Sequence, residues 1–229
     1  MNSTVKKALV DTVPVLTGYL VLGFGFGIIL KSGGYGFLLA LAMSTFVYAG
    51  SMQYAAIGLF AEGASLITVA LTTIMVNARH IFYGISMLDK YKGAGKIKPY
   101  LIFSLTDETY SLVCRDGLAL DEEKRKRYYL FVSVFNHSYW IIGTLLGVAA
   151  GTLLKFNTEG IDFALTALFV TVFLEQWISM KKYVPQIFGV GASAICLLVF
   201  GAEKFLIPSM LIIALALCFY KEKGGQKDE

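Results

Sequence analysis

Residues 64–88 read ASLITVALTTIMVNARHIFYGISML, an apolar stretch with one arginine, Arg79, close to its middle. The stretch is long enough to cross the hydrocarbon core of a bilayer, for which a helix needs about 20 residues. At a helical rise of about 1.5 Å per residue, Arg79 would lie within about 5 Å of mid-membrane. An arginine at that depth costs between about 2.5 and 17 kcal/mol. We therefore expect Arg79 to have a partner or a function.

The whole chain has the composition of a membrane protein. Of its 229 residues 56% are hydrophobic and only 16% are charged, whereas about 25% are charged in a typical soluble domain. The predicted fold class is all-α: a polytopic helical membrane protein with seven to eight transmembrane segments, some of them broken or re-entrant. These segments are predicted to form one transport domain over residues 1–220. A charged cytoplasmic tail follows over 221–229. The candidate segments are Leu9–Leu30, Gly36–Phe60, Ser65–Leu88, Pro99–Cys114, Tyr128–Leu154, Phe163–Met180, Gln186–Phe200 and Phe205–Tyr220.

The basic residues predict the orientation. With eight crossings, the N-terminus, Arg115–Arg127, Lys181-Lys182 and the C-terminal tail fall on one side. That side is predicted to be the cytoplasm of a bacterial cell, because cytoplasmic loops carry an excess of lysine and arginine. The Asp89–Lys98 loop has four lysines and would then lie outside, against the rule. Either this loop is an exception, or the fourth segment or a neighbour of it is re-entrant.

A weak internal repeat links the two halves of the chain. The stretch GFGFGIILK at 23–31 resembles GVAAGTLLK at 147–155. Internal repeats are common in secondary transporters, but glycines spaced four apart also arise from simple helix packing. Eight crossings would make the two copies parallel, and one crossing fewer between them would make them inverted.

Four polar residues lie within about one and a half helical turns around Arg79. Asn77 and His80 are three apart and share one helix face, while Arg79 and Tyr83 are four apart and share an adjacent face. A simpler interpretation is that Arg79 only caps backbone carbonyls near a broken helix end. The number of polar groups favours a functional site, to which we assign Asn77, Arg79 and Tyr83 as substrate-binding residues.

Two acidic residues, Asp107 and Glu108, interrupt the fourth apolar segment. Adjacent carboxylates inside a membrane are expensive unless they are paired or hydrated. They are the natural counter-ions of Arg79, because the other basic residues fall in loops or near segment ends. The alternative is that the segment lies in the interface with both acids in water.

The second apolar segment contains Gly50, Ser51 and Gln53 near its middle. A helix broken there would expose free N–H groups at mid-depth, which transporters use to hold a carboxylate. Glycine in a transmembrane helix can also be only a packing device.

The chain's two histidines, His80 and His137, both lie in apolar segments, and His137 follows Asn136. The neighbouring Tyr139 and Trp140 would suit an aromatic belt at the membrane surface. The three cysteines are scattered and match no metal or disulfide spacing, so no metal or other cofactor is predicted. The positive net charge sits in loops and reports orientation, with no indication of nucleic-acid binding.

Taken in order, these motifs resemble a known family. Together, the stretches YAGSMQYAA at 48–56, NARH at 77–80, TDE at 106–108 and NHSYW at 136–140 are similar to those of the AzlC-type branched-chain amino acid permeases. The resemblance implies export of leucine, isoleucine, valine and their analogues. It also implies a partner, a small hydrophobic AzlD-type membrane subunit of about four spans.

The substrate of such a permease is a zwitterion with an apolar side chain. Our hypothesis is that Arg79 or the N–H groups near Gly50 and Ser51 hold the carboxylate, and that Asp107 or Glu108 accepts the ammonium. The predicted walls of the apolar slot are Phe46, Met52, Tyr54 and Tyr83.

Proton coupling is predicted to use His80, Asp107, Glu108 or His137, because imidazole and carboxyl groups can change charge near physiological pH. Two other functions stay in view. One is a membrane subunit that only scaffolds or regulates its partner. The other is an intramembrane enzyme, with Ser51 or Ser138 as nucleophile and a histidine as base.

Overall fold

The computed structural model describes residues 3–115, 120–153, 170, 174, 177, 184–201 and 205–219. Within these ranges the chain is helical and contains no strand, which confirms the all-α prediction. The helices are α1 (Ser3–Ser32), α2 (Phe37–Ala42), α3 (Gly50–Ala61), α4 (Leu66–Asn77), α5 (Arg79–Met87), α6 (Lys98–Phe103), α7 (Asp107–Val113), α8 (Glu122–Leu153), α9 (Val184–Phe200) and α10 (Leu206–Phe219). A π-helical turn, Met43–Val47, continues α2, and a short 3₁₀ turn, Gly95–Ile97, precedes α6.

The predicted seven to eight crossings are not confirmed. Over the described ranges, α1 and α8 are long and apolar enough to cross a membrane, and α4 with α5, bent by 49°, makes a third candidate. The predicted segment Phe163–Met180, apart from residues 170, 174 and 177, and the tail over 221–229 lie outside the described residues.

The chain forms two compact units, residues 1–165 and 166–229. In the second unit, α9 and α10 pack against each other. The single transport domain predicted for residues 1–220 stays a prediction.

Helices α1 and α8 are the centre of the first unit and run parallel. The Tyr128 hydroxyl donates to Asp11 Oδ2 at 2.7 Å near the start of both helices, and Gly151 lies against Lys31 near their ends. We call the end of the unit with the two helix starts the near end and the opposite one the far end.

Glycines allow the two helices to approach closely. A Cβ atom on Gly147 would overlap the backbone of Phe24, and one on Gly27 would overlap the backbone of Thr144. Both glycines belong to the two similar stretches of sequence, so both stretches serve one helix crossing.

The second predicted segment folds into a hairpin, which we call hairpin 1 (residues 37–61). Its arms are α2 with the π-helical turn and α3. The ring of Tyr35, just before the hairpin, lies 5.6 Å from the ring of Phe60 near its end. Helix α3 also follows α1, since the Tyr54 hydroxyl donates to the Leu22 carbonyl at 2.6 Å. Both ends of hairpin 1 therefore lie at the far end of the unit.

The fourth predicted segment also doubles back, as hairpin 2 (residues 98–113). Its arms are α6 and α7, and Lys90 Nζ, before the hairpin, donates to the carbonyl of Cys114, just after it, at 2.5 Å. Leu101 in α6 and Val113 in α7 are buried in one apolar cluster. Both ends of hairpin 2 thus lie together.

The same apolar cluster places hairpin 2 at the near end. It contains Ala8 from the start of α1, Tyr91 from the loop before hairpin 2, and Tyr128 from the start of α8. The loop also touches α8, because Glu122 and Lys126 lie beside Gly93. The lysine-rich loop Asp89–Lys98 is therefore on the same side of the unit as the N-terminus.

Candidate functional site

Three helix interruptions lie close together beside α1 and α8. They are the tip of hairpin 1 at Tyr48-Ala49, the bend between α4 and α5 at Ala78, and the tip of hairpin 2 at 104–106. Each interruption leaves backbone N–H or C=O groups without intrahelical partners. Polar side chains collect where such groups are free, so this region is the candidate site.

The break predicted in the second apolar segment is confirmed. The π-helical turn ends at Tyr48, whose φ of +40° and ψ of 47° are left-handed, and a new helix begins at Gly50. A tyrosine rarely adopts this conformation, and such strain persists only where its surroundings fix it. The Tyr48 ring is fixed between His137 and Phe103, with ring centroids at 4.3 and 6.2 Å.

Arg79 has partners on both hairpins. Its Nη1 lies 2.5 Å from Asp107 Oδ2, and its Nη2 donates to Ser51 Oγ at 3.1 Å. The predicted contact between Arg79 and the segment 106–109 is thus confirmed. Because Ser51 lies in the first turn of α3 and Asp107 starts α7, this one guanidinium bridges the tips of both hairpins. It contacts side chains, so the interpretation of Arg79 as a mere cap of backbone carbonyls is wrong.

Glu108 has a different environment from Asp107. Its Oε2 accepts a hydrogen bond from the Tyr19 hydroxyl at 2.6 Å, and the same hydroxyl lies 2.7 Å from Thr106 Oγ1. No basic side chain is within ion-pair distance of Glu108 in the described part of the chain. The two adjacent acids are therefore one ion-paired and one hydrogen-bonded carboxyl group.

The midpoint of α8 contacts both hairpins. Asn136 Nδ2 donates to Thr109 Oγ1 at 3.0 Å. His137 Nδ1 lies 3.2 Å from the Tyr100 hydroxyl in α6, and its Nε2 lies 3.1 Å from the Ser44 carbonyl in hairpin 1. The structure thus places His137 between the two hairpins, and its role in proton coupling stays a prediction.

Gln53 also reaches α8, where Trp140 Nε1 donates to its Oε1 at 2.9 Å. A Cβ atom on Gly50 would lie 3.0 Å from the same indole ring, so glycine leaves room for the tryptophan. Trp140 and Tyr139 are 3% and 9% exposed. The prediction of an aromatic belt for these two residues is wrong, because they pack inside the unit.

The predicted common face of Arg79 and Tyr83 is confirmed. Arg79 and Tyr83 face α7, where Tyr83 stacks on Tyr110 with centroids 4.6 Å apart. His80 instead lines an apolar groove of about 380 Å³ that also borders on Leu105. Its Nδ1 lies 3.1 Å from the Asn77 carbonyl. The His80 ring also contacts the Tyr83 ring edge-on, with centroids 5.9 Å apart, so His80 borders on the site through Tyr83.

Phe46 is wrong as a slot wall, since it is 77% exposed. Tyr54 is buried but directs its hydroxyl to α1. The proposed nucleophiles also lack a base: Ser138 Oγ donates to the Val134 carbonyl, and Ser51 Oγ accepts from Arg79. Within the described ranges neither serine is hydrogen-bonded to a histidine.

Several buried polar atoms of the site have no hydrogen-bond partner among the described residues. Two are donors, Arg79 Nε and Gln53 Nε2, and two are acceptors, Asp107 Oδ1 and Asn136 Oδ1. Buried polar atoms are usually satisfied by protein or ordered water, so these four atoms are available to a bound water or ligand.

Sequence reasoning missed Tyr19 and Tyr100. Tyr19 lies in a long apolar stretch and Tyr100 directly follows Lys98 and Pro99, and no local pattern distinguishes either from a tyrosine in a core. The one available signal was chemical, because a buried carboxyl group or imidazole needs a hydrogen-bond partner.

The fold and the site define a helical membrane protein whose polar centre is built from broken helices. Residues 14–154, which include all of the site, match the model of the family described as AzlC protein. The chain belongs to the AzlC family.

Relatives extend the match along most of the chain. The branched-chain amino acid transport protein AzlC of Bacillus subtilis is 41% identical over 208 residues, 91% of this chain and 82% of that protein. A membrane protein of Haemophilus influenzae is 42% identical over 218 residues, covering 95% and 89%. The inner membrane protein YgaZ of Escherichia coli is 26% identical over 223 residues, covering 95% and 88%. No solved structure matches.

Proposed function

We propose that this chain is the large subunit of a secondary transporter that exports branched-chain amino acids. The observation that carries the proposal is the Arg79 guanidinium, which bridges the two hairpin tips through Asp107 and Ser51 and has unpartnered donors and acceptors beside it. The name of the Bacillus subtilis relative supports the substrate class.

The unpartnered atoms match the two charged groups of an amino acid. Arg79 Nε, Gln53 Nε2 and the free N–H groups at the start of α3 would bind the carboxylate. Asp107 Oδ1 and Asn136 Oδ1 would accept the ammonium. The substrate would thereby satisfy atoms that the protein leaves without a partner.

The apolar slot would lie beside the ion pair. Tyr83 shares a helix face with Arg79 and stacks on Tyr110, and Met52 follows Ser51 in the first turn of α3 with 5% of its surface exposed. A branched side chain held there gains about 0.8 kcal/mol per buried CH₂ group relative to water. This gain would favour leucine, isoleucine and valine over alanine or glycine.

Among the four predicted candidates, Glu108 is the one that we propose for proton coupling. It can gain or lose a proton without breaking an ion pair, whereas Asp107 would release Arg79. His80 lines the apolar groove beside α5, and both ring nitrogens of His137 are within hydrogen-bond distance of neighbours.

Replacing Glu108 by glutamine should separate coupling from binding. Glutamine keeps an acceptor for the Tyr19 hydroxyl, so substrate exchange should persist, while transport driven by a pH gradient should fall at least about tenfold, equivalent to 1.4 kcal/mol. Both rates can be measured in proteoliposomes. The matched control is Glu122→Gln, which changes an exposed acid at the start of α8. Gradient-driven transport at the wild-type rate would exclude Glu108 as the proton carrier.

The remaining parts of the proposal concern context. The chain would lie in the bacterial cytoplasmic membrane with its N-terminus in the cytoplasm, and would work with a small AzlD-type membrane subunit. Residues 1–220 would form one transport domain. A protein that only scaffolds its partner would have no use for a charged pair between apolar helices, because small residues suffice for helix association in lipid.

Counterflow in liposomes tests the function directly. The chain is reconstituted with and without the small subunit, and a panel of amino acids is compared at two pH values. We expect accumulation of labelled leucine driven by internal isoleucine or valine, and none driven by lysine or glutamate. Absence of counterflow with the small subunit present, or equal use of all amino acids, would contradict the proposal.

A further inference from the structure

Hairpins 1 and 2 have the wrong geometry for membrane crossings. Each begins and ends at the same end of the first unit: hairpin 1 at the far end, where Tyr35 meets Phe60, and hairpin 2 at the near end, where Lys90 meets Cys114. Their arms are also short. A helix needs about 20 residues to cross the hydrocarbon core, whereas α3 has 12 residues and α7 has 7.

The two tips meet at the middle of the long helices. Thr106, at the tip of hairpin 2, contacts Tyr19, which lies midway along α1. Ser44, near the tip of hairpin 1, contacts His137 midway along α8. The two tips abut at this level, because Arg79 contacts both Ser51 at the tip of hairpin 1 and Asp107 at the tip of hairpin 2.

We propose that hairpins 1 and 2 are re-entrant, that they enter the membrane from opposite faces, and that they carry the site on their abutting tips. In the described part of the first unit, the crossing helices are then α1, α4 with α5, and α8. Non-helical backbone at mid-membrane is tolerated where it is enclosed by protein, as Tyr48 and Ser104 are here, with 4% and 0% of their surfaces exposed.

Charge supports this topology independently. Basic residues of the near end are Lys6, Lys7, Lys90, Lys92, Lys96, Lys98, Arg115, Lys124, Arg125, Lys126 and Arg127. In the described part of the first unit, Lys31 is the one basic residue at the far end. The lysine-rich loop Asp89–Lys98 then joins the other basic clusters on the cytoplasmic face. With eight crossings this loop would lie outside and violate the positive-inside rule, whereas with re-entrant hairpins it obeys the rule.

The parallel direction of α1 and α8 gives a second argument. Two parallel helices require an odd number of crossings between them, and α4 with α5 supplies one. If hairpin 2 alone were re-entrant, hairpin 1 would add a second crossing and α8 would run antiparallel to α1. The hairpins are therefore both re-entrant or both spanning, and the positions of their ends favour the first arrangement.

Two exposed loop positions distinguish the topologies. With eight crossings, Glu62 is cytoplasmic and Lys96 is outside. With re-entrant hairpins, Glu62 is outside and Lys96 is cytoplasmic. The experiment uses the full chain with its three cysteines replaced by alanine, and single variants Glu62→Cys and Lys96→Cys. Each is labelled with a membrane-impermeant maleimide in right-side-out and inside-out vesicles.

Two control variants set the reference, because both topologies place them alike. Lys124→Cys marks the face of the α8 start, and Ser32→Cys marks the opposite face. We expect Lys96→Cys to be labelled from the same face as Lys124→Cys, and Glu62→Cys from the same face as Ser32→Cys. Any other pattern, including labelling from both faces or from neither, overturns the proposal. Because labelling needs no substrate, the result is independent of the transport assay.

Discussion

Replacing Arg79 by alanine should lower leucine counterflow by about ten- to a hundredfold. A hydrogen bond to a charged group contributes about 1.5–3 kcal/mol, and each 1.4 kcal/mol is tenfold in affinity. The substitution also leaves Asp107 without its cation and releases the contact to Ser51, so both hairpin tips lose their bridge. The loss should appear both as a higher KM and as a lower maximal rate.

Two further variants separate charge from geometry. Arg79→Lys keeps the charge but cannot contact Asp107 and Ser51 with the same planar fork, so an intermediate rate is expected. Lys124→Ala removes an exposed cation that pairs with Asp121 and should leave transport unchanged. All variants are compared at equal amounts of folded protein, judged by gel filtration. Counterflow at the wild-type rate in Arg79→Ala would show that the substrate does not bind at Arg79.

Substituting alanine for Gly147 should destabilise the whole first unit. The new methyl group would overlap the backbone of Phe24, and no side-chain movement can relieve a backbone clash. Overpacking of this kind costs about 1–3 kcal/mol. At about 2–4 °C per kcal/mol for a chain of this size, the midpoint of thermal unfolding in detergent should fall by roughly 2–12 °C.

A matched control is available in α1 itself. Gly18 is also helical, but a Cβ atom there would meet no atom within 4 Å. Gly18→Ala should therefore leave the unfolding midpoint unchanged or raise it slightly, because alanine favours the helix. Equal midpoints for Gly147→Ala and the wild type would show that α1 and α8 do not approach this closely.

Much of the site was predictable from energetic arguments on single residues. A central arginine needs a counter-ion, and the chain offers Asp107 and Glu108 away from its loops. The ion pair was predictable because few acidic residues lie away from the loops. The break near Gly50 was also predictable, since a Gly-Ser pair beside a buried amide is a poor choice for a continuous apolar helix.

The sequence did not reveal which carboxylate pairs with Arg79. Asp107 and Glu108 are neighbours in one helical turn, so their side chains point about 100° apart. The orientation of α7 decides that the first meets Arg79 and the second meets Tyr19. That orientation comes from packing against α1, α5 and α8, and the local sequence around Asp107 does not indicate these contacts.

The two histidines show the same limit. His80 is next to Arg79 in the chain, yet it faces the groove lined by α5 and α6. His137 is far away in sequence and contacts both hairpins. Proximity along a helix does not imply proximity in a site, because successive residues face different neighbours.

The sequence by itself determined that this protein is helical, that it belongs in a membrane, and that its polar centre involves Arg79. These properties follow from composition and from the free energy of burying charge, which are local quantities. Only the tertiary structure decided which apolar segments double back and which polar groups meet. An apolar segment with a polar break has the same composition whether its second arm continues onward or returns. The choice depends on contacts between distant residues, such as Tyr35 with Phe60 and Lys90 with Cys114.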